Sequence, residues 1–241
     1  MMKHIICMGG GGFSMEPENL TMDHYVLEQS RSPHPKICFL PTASGDAQSY
    51  VERFYATFKP LDCEPSHLSL FDVHTSNLDK YLLEQDIIYV GGGNTRNMLV
   101  LWREWGLDEI LHAAWEQGVV LAGVSAGAIC WFEQGLTDSV PGKLLPLECL
   151  GYLPGSCSPH YDNEADRRPI FKQLIATGHL KPGYGIDDGA ALHSINGDIH
   201  RVVSTRPGAT AHFVEANNGQ VREEPLKYYV LKTIPAKEST S

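Results

Sequence analysis

The sequence predicts an α/β fold, a mostly parallel sheet with an antiparallel extension near its C-terminus, and three observations predict it. Short apolar, β-branched-rich runs recur at 4–8, 36–40, 86–90 and 119–124. Their apolar residues are continuous rather than alternating, the pattern of strands buried on both faces. Stretches of helical length, about 45–58, 95–103 and 107–117, separate them, and strands alternating with helices build βαβ units. The first three of these strands run into glycine- or proline-rich turns: Gly9-Gly10-Gly11-Gly12, Pro41-Thr42-Ala43-Ser44-Gly45 and Gly91-Gly92-Gly93-Asn94. Loops at the carboxyl ends of such strands are where open α/β sheets build their sites.

The last third changes character. Runs at 182–193, 198–204, 210–215 and 225–233 read as shorter strands joined by turns such as Ile195-Asn196-Gly197-Asp198 and Ala216-Asn217-Asn218-Gly219. They read as an antiparallel extension of the same sheet. With no Pro/Ser linker, repeat or low-complexity stretch, one domain over 1–241 is expected.

Composition narrows the function classes. With 19 Lys+Arg against 29 Asp+Glu the formal net charge is −10, which argues against nucleic acid as a partner, since that contact relies on Lys/Arg displacing counterions. No run approaches the ~20 apolar residues of a membrane helix, and the apolar start at 1–8 is too short for a signal-peptide core. A soluble cytoplasmic protein is therefore expected. The six cysteines lie far apart, mostly in apolar segments, and read as buried thiols rather than a disulfide framework. Cys157-Ser-Pro-His160 has half the look of a zinc site, but no second pair sits at matching spacing. Gly9–12 lacks the Gly-x-Gly-x-x-Gly spacing of a dinucleotide loop.

The window that bears chemistry is Val119 to Cys130, where an apolar strand runs into Gly123-Val124-Ser125-Ala126-Gly127 and then a small-residue stretch able to open a helix. This is the nucleophile-elbow pattern, in which a tight strand-to-helix turn exposes the serine oxygen. Free N–H groups at the start of the helix then lie beside developing negative charge, so the Ala126 N–H is a natural oxyanion donor. A nucleophilic serine needs a base, oriented in turn by a third group. Among the eleven histidines, His160 stands out, at the end of an apolar, proline-punctuated stretch in Ser158-Pro159-His160-Tyr161-Asp162-Asn163-Glu164.

These segments together resemble peptidase E, the aspartyl dipeptidase family of serine peptidases. Gly91-Gly92-Gly93-Asn94-Thr95 is similar to the family's glycine-rich loop, and Gly123 to Ala128 to its nucleophile motif. Ser158-Pro159-His160-Tyr161 resembles its Pro-His-aromatic motif, and Gly185-Ile186-Asp187-Asp188-Gly189 lies where the family carries an acidic turn. The resemblance implies a three-layer α/β/α sandwich related to the class I glutamine amidotransferases, with Ser125 as nucleophile and His160 as general base. It further implies Gly92 and Ala126 as oxyanion donors, Asn94 and Arg167 on the substrate, and no metal or organic cofactor. For the orienting acid it offers Asp138 and Asp188. The polar Thr137-Asp138-Ser139 turn has little core value, which ranks Asp138 first. Arg167 and Arg168 follow His160 by seven and eight residues, a shorter gap than the family's substrate arginine leads one to expect, so strict selection of N-terminal Asp is not implied.

The expected function is hydrolysis of short peptides, Asp-X dipeptides among them. Three other readings compete. A lipase- or esterase-type hydrolase places its histidine after several further strands, whereas 35 residues separate Ser125 from His160. A cyanophycinase-like hydrolase acts on a longer polymer, for which no added binding segment is evident. A binding or sensor module on the same scaffold is the third, and the retained serine and base count against it. The oligomeric state is not legible.

Overall fold

The computed structural model describes residues 1–234; residues 235–241, the end of the expected single domain, lie outside it. β1 (His4–Met8) is buried along its length and leads through the first glycine turn to α1 (Gly12–Met15) and α2 (Thr21–Leu27). Next come β2 (Lys36–Leu40), a single 3-10 turn at Thr42–Ser44, α3 (Gln48–Phe58) and β3 (Glu64–His67). α4 (Leu78–Leu83), β4 (Ile87–Val90), α5 (Thr95–Trp105) and α6 (Leu107–Glu116) follow. β5 (Val120–Val124) then ends at Ser125, which opens α7 (Ala126–Ile129). The four predicted strands are present to within a residue.

β1, β5, β4, β2 and β3 lie side by side in that order, all parallel. Alternate residues of a strand face opposite sides, and on β1 both sides are core. Ile5 and Cys7 pack with Trp102 and Leu111 of α5 and α6, while Ile6 and Met8 pack with Phe13, Val26 and Phe54 of the first three helices. That is the three-layer arrangement, and it explains why the strands carry no polar alternation.

The remainder comprises β6 (Phe132–Val140), β7 (Lys143–Glu148), β8 (Leu153–Ser158), α8 (Arg167–Ala176) and β9 (Gly183–Ile186). β10 (Ala190–Ile195), β11 (Asp198–Ser204), β12 (Ala211–Asn217), β13 (Gln220–Pro225) and β14 (Tyr228–Val230) complete it. β10 pairs antiparallel with β1 and β11 with β10, the expected extension, and β14 borders β11 to make eight strands.

The structure departs from expectation in a second sheet of six strands, ordered β13-β12-β9-β8-β6-β7. The run read as one strand over 182–193 is cut at Asp187-Asp188-Gly189, with Gly189 at φ +76°. β9 before the cut joins the second sheet and β10 after it joins the first. Apolar continuity marks a strand but carries no information about which sheet receives it.

All six cysteines are free, and five of them are buried. No helix among the described residues is long and apolar enough to cross a membrane.

Candidate active site

Ser125 sits at the carboxyl end of β5 with φ +56° and ψ −111°, a backbone conformation L residues rarely adopt. Its surroundings impose this turn. The Ser125 N–H donates to the Met8 carbonyl at 3.1 Å, and its own carbonyl accepts the Ile129 N–H at 3.0 Å. The flanking glycines permit the approach: a Cβ on Gly123 would stand 2.2 Å from the Gly127 carbonyl oxygen, and one on Gly127 2.3 Å from that of Val90. The elbow is therefore wedged between β1 and β4, with its side chain outward.

His160 leaves the end of β8, its N–H directed to the Gly9 carbonyl at 3.3 Å, while the Tyr161 N–H donates to Ile186 at 3.1 Å. The base is thus clamped between the first glycine turn and β9. Its Nε2 lies 3.0 Å from Ser125 Oγ and its Nδ1 2.7 Å from Asp188 Oδ1. Asp188 occupies the cut between β9 and β10 that separates the sheets. Gly10 pairs with it as an isolated bridge, and the Gly189 N–H donates to the Gly10 carbonyl at 3.0 Å. Two further residues brace the acid. Asn163 Nδ2 donates to Asp188 Oδ2 at 2.8 Å, and the Asp188 N–H donates to Asp162 Oδ1 at 2.9 Å. Asp162 in turn pairs with Arg206. Burial works against ionising Asp188, but the bonds from His160 and Asn163, with the charge of Arg206, hold its carboxyl below the usual carboxylate range.

The structure thus brings Ser125, His160 and Asp188 into one hydrogen-bonded chain, and Ala126 directly follows the serine. The Ala126 N–H has no hydrogen-bond partner among the described residues. The other candidate residues are placed as follows. Asp138 does not orient His160: it lies on β6 in the second sheet, 63% exposed, with Oδ1 3.5 Å from Arg167. The Arg167 side chain is only 2% exposed, and its groups are engaged within the protein. Nε donates to Glu164 at 2.6 Å and Nη1 to the Leu136 carbonyl at 3.1 Å. Arg168 is likewise held, in a two-bond fork on Glu223. Asn94 caps α5, its Oδ1 accepting the Asn97 N–H at 2.9 Å while Nδ2 donates to Ser139 at 3.0 Å. Gly92 does stand beside the serine, since a Cβ on it would be 3.3 Å from Ser125 Cβ. Its N–H, however, already donates to the Tyr50 hydroxyl at 3.2 Å.

Asn163, Gly10, Arg206 and Tyr50 also reach the site, although no motif marks them as part of it. Asn163 and Asp162 adjoin the base in sequence, so the run His160 to Asn163 carried a usable signal. Gly10, Arg206 and Tyr50 reach the site only through the fold. Among the described residues no group of three or more His, Cys, Asp or Glu side chains is arranged to hold a metal ion.

Comparison with known proteins follows the same lines. Residues 5–202 match peptidase family S51. The chain is 60% identical over 225 residues to the uncharacterized peptidase YgaJ of Bacillus subtilis (strain 168), covering 93% of this chain and 97% of that one. It is 27% identical over 168 residues to peptidase E of Actinobacillus pleuropneumoniae serotype 5b, covering 66% and 70%. The crystal structure of a peptidase from an acI-B1 Actinobacterium superposes with a TM-score of 0.69 at 17% identity, covering 98% of both chains, and shows the shared fold.

Proposed function

Because the chain belongs to peptidase family S51 and is a serine peptidase of that family, we propose that Ser125, His160 and Asp188 carry out its acyl transfer, and that its substrates are short peptides, dipeptides first among them. The observation that carries the assignment is the unbroken chain Asp188 Oδ1 to His160 Nδ1 to His160 Nε2 to Ser125 Oγ. Asp188 accepts the Nδ1–H, which fixes the tautomer whose Nε2 is free to accept a proton.

Ser125 Oγ attacks the peptide carbonyl while its proton passes to His160 Nε2. The carbonyl becomes an oxyanion, which the Ala126 N–H is placed to receive. As the C–N bond breaks, Nε2 returns the proton to the leaving amine, and the acyl-enzyme remains. Water then attacks the ester with its proton taken by Nε2, and collapse of the second intermediate returns that proton to Ser125 Oγ. The carboxylate of Asp188, held in its ionised form, stabilises the imidazolium in both halves.

With Arg167 buried, this reading contains no requirement for an N-terminal Asp side chain. The test is turnover of a dipeptide panel, half with Asp first, by wild type and Ser125→Ala. Turnover of several non-Asp dipeptides by wild type, lost in Ser125→Ala, is expected. Equal rates in the two proteins would end the serine assignment, and cleavage confined to Asp-X would end the relaxed specificity.

A further inference from the structure

Two glycine turns flank the candidate nucleophile, and one phenol joins them. Gly9–12 carries the carbonyls that accept the N–H groups of His160 and of Gly189, the residue after Asp188, and continues into α1. Gly91–93 stands against Ser125. Between them Tyr50 of α3 is buried, 8% exposed. Its hydroxyl accepts the Gly92 N–H at 3.2 Å and shares a 2.7 Å hydrogen bond with Ser14 Oγ of α1. The clasp is rigid from every side. The Tyr50 ring would lie 3.0 Å from a Cβ on Gly91, so it rests against the bare backbone of the turn. It also packs edge-on to Phe39, with ring centroids 5.0 Å apart. Arg53 lies over the ring and donates to the Ser14 carbonyl at 2.9 Å. Burial pushes ionisation of the phenol upward, so the hydroxyl is neutral at ordinary pH.

This arrangement determines which N–H groups remain for an oxyanion. Gly92 is engaged by Tyr50, whereas the N–H groups of Gly93 and Ala126 have no partner among the described residues. A backbone of three glycines has no side chain to hold its peptide planes, so an external group must fix them. We propose that Tyr50 is the positioning residue of the oxyanion site: by holding the Gly92 N–H it fixes the glycine turn so that the Gly93 N–H, with that of Ala126, faces the carbonyl oxygen over Ser125. The inference rests on the proposed role of Ser125 and deepens it.

Ser125 labelling by a fluorophosphonate tests the inference without knowledge of the peptide substrate. In that reaction an Oγ–P bond forms, the P–F bond breaks, fluoride leaves and the serine proton passes to His160, while the phosphoryl oxygen draws on the oxyanion donors. Removing one well-placed donor lowers such rates by about 10²–10³-fold. Disordering one is expected to cost less, so Tyr50→Phe should lower the maximal labelling rate about 10- to 100-fold with half-saturation unchanged within about two-fold. Ser14→Ala, which leaves the ring in place and only frees the hydroxyl, should lower the same rate about 3- to 10-fold. Tyr55→Phe removes another hydroxyl from the same helix, one bonded to His67 at 2.9 Å, and should leave the rate unchanged. Loss expressed in half-saturation, or a Tyr50→Phe rate within two-fold of wild type, overturns the role of Tyr50. Wild type that is not labelled at Ser125 overturns the serine assignment itself.

Discussion

Replacing Asp188 by Asn should nearly abolish turnover, and the structure shows by what route. Asn is isosteric with Asp, so the change keeps shape and tests charge and hydrogen-bond sense. One oxygen of the carboxylate accepts from His160 Nδ1 at 2.7 Å and the other from Asn163 Nδ2 at 2.8 Å. An amide has one acceptor and one donor end. Asn163 presents a donor, so the new carbonyl turns to it and the new NH2 faces His160. Nδ1 must then accept, its proton moves to Nε2, and Nε2 can no longer take the proton of Ser125. Wrong-tautomer enzymes of this kind lose about 10³–10⁴ in kcat, roughly 4–5.5 kcal/mol of barrier. KM for a dipeptide should change little, because Asp188 meets the substrate only through His160.

The bracing residue supplies an internal check. In the double variant Asp188→Asn with Asn163→Asp, the carboxylate at 163 accepts the NH2 and turns the carbonyl back to Nδ1, so kcat should recover about ten-fold or more over the single variant. Asp138→Asn should retain kcat within about two-fold, since that side chain is largely in water and pairs with Arg167. Steady-state dipeptide hydrolysis reads all three. A kcat for Asp188→Asn within ten-fold of wild type would refute the tautomer argument, as would an equal loss in Asp138→Asn.

Three further outcomes follow from packing and burial. Gly10→Ala would place a Cβ 2.1 Å from Asp188 Oδ1 and 3.1 Å from His160 Nδ1, so the acid must shift; a fall of about 100-fold in kcat is expected from displacement near 1 Å, measured on the same dipeptides. Arg167→Met leaves the Leu136 carbonyl without its buried donor and should destabilise by about 3 kcal/mol in urea unfolding, while the ratio of Asp-X to Ala-X turnover stays constant. Asp23 is fully buried, and burial pushes its carboxyl up to about 7. The native state therefore retains a proton that the unfolded chain releases near pH 4, and stability from this group falls as pH rises from about 4 to about 7. Asp23→Asn, which cannot ionise, should gain on wild type across that window by up to about 4 kcal/mol, read as urea midpoints at pH 5 and pH 8.

Much of the parallel core was legible because each strand there is buried on both faces, so Ile5 to Met8 or Ile87 to Val90 had to be apolar without interruption. The elbow was legible for a steric reason, since only glycine tolerates the contacts at 123 and 127. His160 was legible from its motif. The second sheet was not, because its strands β6, β7 and β13 are half-exposed and carry charges, and pairing partners are set by tertiary contacts rather than by local period. Which acid meets His160 was not legible for the same reason. Asp138 looked functional because it had no core value, but a solvent-facing strand residue needs no function to be polar. Asp188 was the second candidate, and the turn that carries it is where the two sheets part.

That parting explains the chain order of the site. The parallel sheet can offer a nucleophile at the end of β5, but the base must approach from outside the strand row, and β8 of the second sheet brings it. The acid meets the base alone, and Asp188 lies in the link between β9 of one sheet and β10 of the other, pinned to the first glycine turn at Gly10. The charged residues after His160 then read as fastenings of that junction. Asp162 accepts the Asp188 N–H and pairs with Arg206, while Glu164 holds Arg167 against β6. An arginine read as a receptor for substrate carboxylate therefore acts as an anchor for the loop that carries the base. The Arg167 guanidinium is already engaged by Glu164 and the Leu136 carbonyl, so its use by an acidic substrate would require breaking those contacts.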